Sequence, residues 1–189
     1  MNSNKKCYIN LLPLLLALLI ISTFSGCGEN YMSPEVALRN FSNRIEQDNL
    51  NGMTLTIYYM NSISTIHFPF NTEAFVAQGI YDAKKIVDEH ELRKHIELLR
   101  QINADDLVPV SHELPMLVML YYVFEVNGRT IFGFVPQAAG NDSSMYINGV
   151  EFEWIDSFFD VIRPFIPEEE VRRWDASLRS DKAMDGSVS

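Results

Sequence analysis

The sequence predicts an α+β domain in which a mainly antiparallel sheet, built from C-terminal hairpins, is packed by about four helices. Three observations carry that prediction. Asn127-Gly128 and Asn148-Gly149 each separate two runs of alternating apolar residues, and Asn-Gly supplies the two positive-φ positions of a tight turn that matches strand twist. Apolar residues spaced i, i+3 and i+7 occur at Leu38, Phe41 and Ile45 and again at Val171, Trp174 and Leu178, the stripe of a half-buried helix. Residues 27–189 number 163, enough for one domain with a full hydrophobic core.

Taken in order, "SPEVALRNFSNRIEQDN" begins with Ser33 as N-cap, Pro34 at the first helical position and Glu35 near the positive end of the helix dipole. Asn51-Gly52 then turns the chain into "TLTIYYM", where Leu55, Ile57 and Tyr59 alternate with Thr54, Thr56 and Tyr58 as in a half-buried strand. Residues 61–82 keep no steady period: "TIHFPF" alternates briefly, and Pro69 restricts it to an edge strand or a loop. "AKKIVD" reads as a short strand before one helix over residues 89–102, with Leu92, Ile96, Leu99 and Ile102 as its apolar face.

The hairpins follow. With two-residue turns, the second pairs Ile147 with Val150 and Met145 with Phe152 on a core face, leaving Tyr146, Glu151 and Glu153 toward water. The same turn in the first hairpin puts Tyr122, Phe124, Val126 and Ile131 on one face and Met119, Tyr121, Val123, Phe132 and Phe134 on the other. Both faces are apolar, so both need a cover, and "IDSFFDVIRPF" with the N-terminal helices supplies it. Left uncovered, the face of Met119, Tyr121, Val123, Phe132 and Phe134 is a candidate interaction surface, because a contiguous aromatic patch of that size marks binding sites. Pro167 and three glutamates open a last helix that runs to Leu178, and residues 179–189 read as a disordered polar tail.

Ahead of the domain, Lys5 and Lys6 precede an apolar run from Leu11 to Ile21, broken by Pro13, and then the small residues Ser22, Thr23, Ser25 and Gly26. That order is a secretory signal, and its apolar run is shorter than a membrane-spanning helix needs. "FSGC", residues 24–27, resembles the lipobox of bacterial lipoproteins, with Phe24 where Leu is usual. The resemblance implies cleavage after Gly26 and a diacylglycerol thioether on Cys27; the alternative is an ordinary signal peptide with an incidental cysteine. Cys7 and Cys27 are the two cysteines of the chain, so residues 28–189 hold no thiol for a disulfide, a zinc site or a nucleophile. The organisation expected is a signal over 1–26, a tether over 27–32 that reaches about 20 Å at full extension, a domain over 33–178 and the tail.

Formal charge is −10, and removing Lys5 and Lys6, the only charged residues of 1–26, leaves −12. Such a surface repels nucleic acid and anionic headgroups. The candidates for chemistry are few. His90 and His95 come close to HExxH spelling, but an i, i+5 pair is about 140° apart around a helix and cannot share a metal. Glu151 and Glu153 stand roughly 7 Å apart on one strand face, the spacing of an inverting glycosidase pair and of any amphipathic strand. Glu125 sits among aromatics in "YYVFEVNG", where burial would raise its pKa. "PEEE" is explained by the helix dipole, and His67 and His112 have no partner in sequence. No catalytic set, metal site or cofactor motif emerges.

Together, "LTIYYM", "HELRKHIELLRQINADDLVPV", "YYVFEVNGRTIFGF" and "MYINGVEFEWIDSFFDVIRPFIPEE" resemble small lipoproteins of low-GC Gram-positive bacteria across most of residues 54–170. The resemblance implies a place on the extracytoplasmic face of the cell membrane and brings no activity or site residue with it. The expected role is a non-catalytic binding or sensing module held to the membrane by lipid, with an envelope protein or small ligand as partner and no nucleic acid. The alternative is a carboxylate-dependent hydrolase acting on cell-wall or sugar substrates.

Overall fold

Six strands form one antiparallel sheet in the computed structural model, which describes residues 32–60, 71–110, 118–139 and 142–185. The elements are α1 (Pro34–Glu46), β1 (Met53–Tyr59), α2 (Thr72–Ala77), β2 (Ala83–Val87), α3 (Glu89–Arg93), α4 (Ile96–Leu99), β3 (Leu120–Val126), β4 (Arg129–Ala139), β5 (Asp142–Ile147), β6 (Val150–Glu153), α5 (Asp156–Asp160) and α6 (Glu168–Asp185). Short 3-10 turns lie at Ala104–Asp106 and Arg163–Phe165. Strand order is β2-β1-β3-β4-β5-β6, so the four C-terminal strands form a meander and β1 with β2 extends it. The fold is α+β, dominated by its sheet.

Both Asn-Gly turns have left-handed φ at each central residue, 51° and 74° at Asn127 and Gly128 and 49° and 80° at Asn148 and Gly149. The second hairpin pairs Ile147 with Val150 and Met145 with Phe152, the register expected from its turn. In the first, Val126 faces Arg129 and Glu125 faces Thr130, but Phe124 then faces Phe132 rather than Ile131. Ile131 is an extra residue, a bulge, and one extra residue reverses the facing of everything beyond it. Phe132 and Phe134 therefore join Tyr122 and Phe124 on one face, and the expected grouping of Phe132 and Phe134 with Met119, Tyr121 and Val123 is corrected.

The face so assembled is the main core. Phe41 of α1 meets the rings of Phe124 and Phe132 at 4.8 and 5.2 Å, and Phe134 stacks on Phe158 of α5 at 5.5 Å. Leu38, Phe41 and Ile45 are wholly buried, so the stripe of α1 is fully used; Ser33 makes no side-chain cap. The hydroxyl of Tyr122, wholly buried, donates to the Phe158 carbonyl at 2.8 Å, and burial lifts its pKa well above the usual phenol value. Tyr122→Phe strands that buried acceptor, and we expect a loss of about 1–3 kcal/mol by urea unfolding.

Two expectations on the helices are corrected. Residues 89–102 do not form one helix: the chain breaks at Lys94-His95 into α3 and α4, and the His95 ring packs edge-on against Phe165 at 5.0 Å. Glu91 accordingly pairs with Lys94, at 2.6 Å, and Arg93 with Asp48, at 2.7 Å. Helix α6 runs to Asp185, past the boundary expected at Leu178, because the first glycine or proline after Glu168 is Gly186. Arg163 pins α6 to the segment before it through Asp175 at 2.7 Å. Among the described residues no helix is long and apolar enough to cross a membrane.

Candidate functional site

The other face of the sheet carries a second, smaller apolar cluster: Tyr58, Met60, Phe75, Val118, Tyr121, Val123, Val135 and Tyr146. Its cover is α2, a helix the sequence pattern did not yield. Asn71 caps α2 by accepting from the Ala74 amide at 2.7 Å, and the buried Phe75 is driven onto the sheet. Asn71-Thr72-Glu73 was the available signal, an N-cap followed by an acidic first turn, but six residues are too few to show a helical period.

Phe75, with Val76, Ile80 and Tyr81 beside it, packs into the cluster, and a cleft of about 160 Å³ lies between the N-terminal end of α2 and the sheet. Its floor is Gly133, flanked by Tyr121 on β3, Val135 on β4 and Tyr146 on β5; Asn71, Thr72 and Glu73 form one rim and Asn148 and Gly149 the other. The glycine is required by close approach. A Cβ at position 133 would lie 2.7 Å from both Cε2 and the hydroxyl oxygen of Tyr121, so only glycine lets the phenol cross the strand there. Tyr121 in turn stacks on Tyr58 with ring centroids 5.9 Å apart and planes 13° from parallel. Lys84 lies over Tyr58 at 5.2 Å.

Asn148 ties the cleft to the start of the domain. Its backbone N–H donates to the Gly133 carbonyl at 3.0 Å, and its side-chain oxygen accepts from the Gly133 amide at 2.9 Å. Its remaining side-chain donor holds the Met32 carbonyl at 3.1 Å. The same side chain thus secures the turn, the cleft floor and the backbone at Met32.

The residues singled out in sequence are dispersed. Gly26, Cys27, His67 and His112 lie outside the described residues. Tyr121 and Val123 are on the cleft face, Met119 is half-buried against the main core, and Phe132 and Phe134 are within that core. Glu125 is half-buried at the Asn127 end of the sheet, opposite Thr54 and Thr130. Glu151 does not face water: it is 5 % exposed and accepts from the Ser144 hydroxyl at 2.6 Å, and Tyr146 beside it is 6 % exposed. The wet face expected for the second hairpin is therefore covered, whereas Glu153 is exposed. Among the described residues no group of three His, Cys, Asp or Glu could hold a metal ion.

One further carboxylate is set apart. Glu170 of α6 is buried and paired with Arg173, whose guanidinium also donates to the Met60 carbonyl at 2.6 Å at the end of β1. Burial raises the Glu170 pKa above its ordinary value of 4.5, against the lowering pull of Arg173. A raised folded pKa means the native state holds the proton more tightly than the unfolded chain, so this contribution is complete below pH 4.5 and is lost as pH rises through the folded value. Glu170→Gln is expected to flatten the pH dependence of urea stability in that window, with its gain over the parent growing toward neutral pH. A second cavity, between Ser42, Glu46, Arg100 and Asp105, has a charged rim, with Arg100 already paired to Glu97 and Arg39 to Asp105.

The chain matches no protein-family model, no curated protein and no solved structure.

Proposed function

We propose that this chain is a lipoprotein held through Cys27 at the extracytoplasmic face of the cell membrane, where its domain is a non-catalytic binding or sensing module. The observation that carries the binding half is the cleft over Gly133, where the buried Tyr121, Val135 and Tyr146 are joined by the more exposed Asn71, Thr72, Glu73 and Asn148. That is the distribution of small-ligand sites. The anchoring half is supported by the order of residues 1–27 and by the short tether. The hydrolase reading has less support. Among the described residues the cleft is lined by one carboxylate, Glu73, where the two-carboxylate mechanism needs a pair.

The test is thermal unfolding of the full-length chain with calcium, zinc, peptides, muropeptides and simple sugars, followed by recovery of each compound. The expected result is a member of the panel that raises Tm, is recovered chemically unchanged, and loses its effect with Gly133→Ala. Turnover of the compound, or stabilisation indifferent to Gly133→Ala, contradicts the reading.

A further inference from the structure

Resting on that reading, we infer that the cleft takes one neutral sugar ring, presented close to the membrane surface. Size comes first: about 160 Å³ is the capacity of a cavity that accepts a single six-membered ring. The walls and rim then ask for two kinds of surface on one ligand. Tyr121, Tyr146 and Val135 offer apolar contact to ring C–H groups, while Asn71, Thr72 and Glu73 bring an amide, a hydroxyl and a carboxylate to one edge. A wholly apolar ring would desolvate those rim groups without giving them partners. A pyranose satisfies both, with C–H faces inward and hydroxyls at the rim.

Charge selects within that class. No Lys, Arg or His lines the cleft among the described residues, Glu73 is negative, and residues 27–189 carry −12. A phosphate or uronate would meet repulsion from Glu73 and from the net negative charge of the domain. Position narrows the source. Asn148 on the rim holds the Met32 carbonyl, and the five residues from Gly28 to Met32 span about 20 Å at most. With Cys27 lipidated, the cleft stays near the bilayer, in reach of both a glycolipid headgroup and a free envelope saccharide.

The experiment uses the full-length chain in detergent micelles for soluble compounds and reconstituted in phosphatidylcholine vesicles, with or without a neutral glycosyl diacylglycerol. Neutral methyl glycosides near 100 times their Kd are expected to raise Tm by about 5–10 °C, and a methyl uronide of the same size at equal concentration to leave it unchanged. Glu73→Ala, on the exposed rim, is expected to weaken binding at least tenfold, read against the ligand-free Tm of the same variant; Gly133→Ala abolishes binding. A response to glycolipid vesicles alone assigns the headgroup as the source, and a response to free glycoside assigns the saccharide. Equal stabilisation by the uronide, or a glycoside response indifferent to Glu73→Ala, overturns the inference. If no neutral glycoside binds while another compound does so in a Gly133-dependent way, the sugar assignment fails and the binding reading stands.

Discussion

Phe132→Ala is expected to destabilise the domain by about 3–5 kcal/mol, the cost of removing a fully buried aromatic ring from a packed core. Phe132 has no exposed surface and lies 5.2 Å from the rings of both Phe41 and Phe124. The informative comparison is Ile131→Ala, one residue away. In the bulged register Ile131 is the extra, half-buried residue, so its loss costs less. A hairpin without the bulge would set Ile131 against Phe124 in the core and turn Phe132 to the other face, which reverses the order of the two variants. Urea midpoints at unchanged m-value separate the two cases.

The second large effect falls on the cleft. Gly133→Val places a branched side chain where a Cβ alone would be 2.7 Å from the Tyr121 phenol, so the ring must leave both the strand and its stack on Tyr58. Overpacking of this kind costs about 1–3 kcal/mol, and any compound that stabilises the parent through the cleft should lose its effect. Tyr121→Ala makes the room that valine needs. The double variant Gly133→Val with Tyr121→Ala is therefore expected to cost measurably less than the sum of the two single variants. Additive costs would mean that the glycine and the tyrosine do not answer to each other.

The contrast between the two hairpins shows where the sequence was legible. Asn148-Gly149 set the second register, because two positive-φ residues and a strict period of two leave one way to pair. Asn127-Gly128 set the first register for only two pairs before the bulge at Ile131. Ile131 is apolar like the Phe132 that follows it, so nothing in the pattern marked it as extra. The stripe of α1 was readable since its three apolar positions meet one continuous core. The break at Lys94-His95 was not, because Leu92, Ile96, Leu99 and Ile102 keep a helical spacing that two short turns also satisfy.

The cleft was the least legible part, for a related reason. Its floor is a glycine in "FGF", a spelling that hints at close approach but names no partner; the partner is Tyr121, twelve residues earlier on the adjoining strand. Its rim begins at Asn71, the N-cap of a helix of six residues whose only wholly buried side chain is Phe75. Glu151 misled for the opposite reason. Alternation placed it correctly away from the main core, yet an outward-facing strand residue faces water only where no second layer lies over it.

The measurement that bears most directly on the account is the intact mass of the N-terminal peptide of the protein made in its own membrane. The expected result is a peptide that begins at Cys27 and carries a diacylglycerol on its sulfur, which leaves at most about 20 Å of chain between the lipid and Met32. A peptide that begins elsewhere, or a Cys27 with a free thiol, would contradict it and take away the reason for placing the cleft at the membrane.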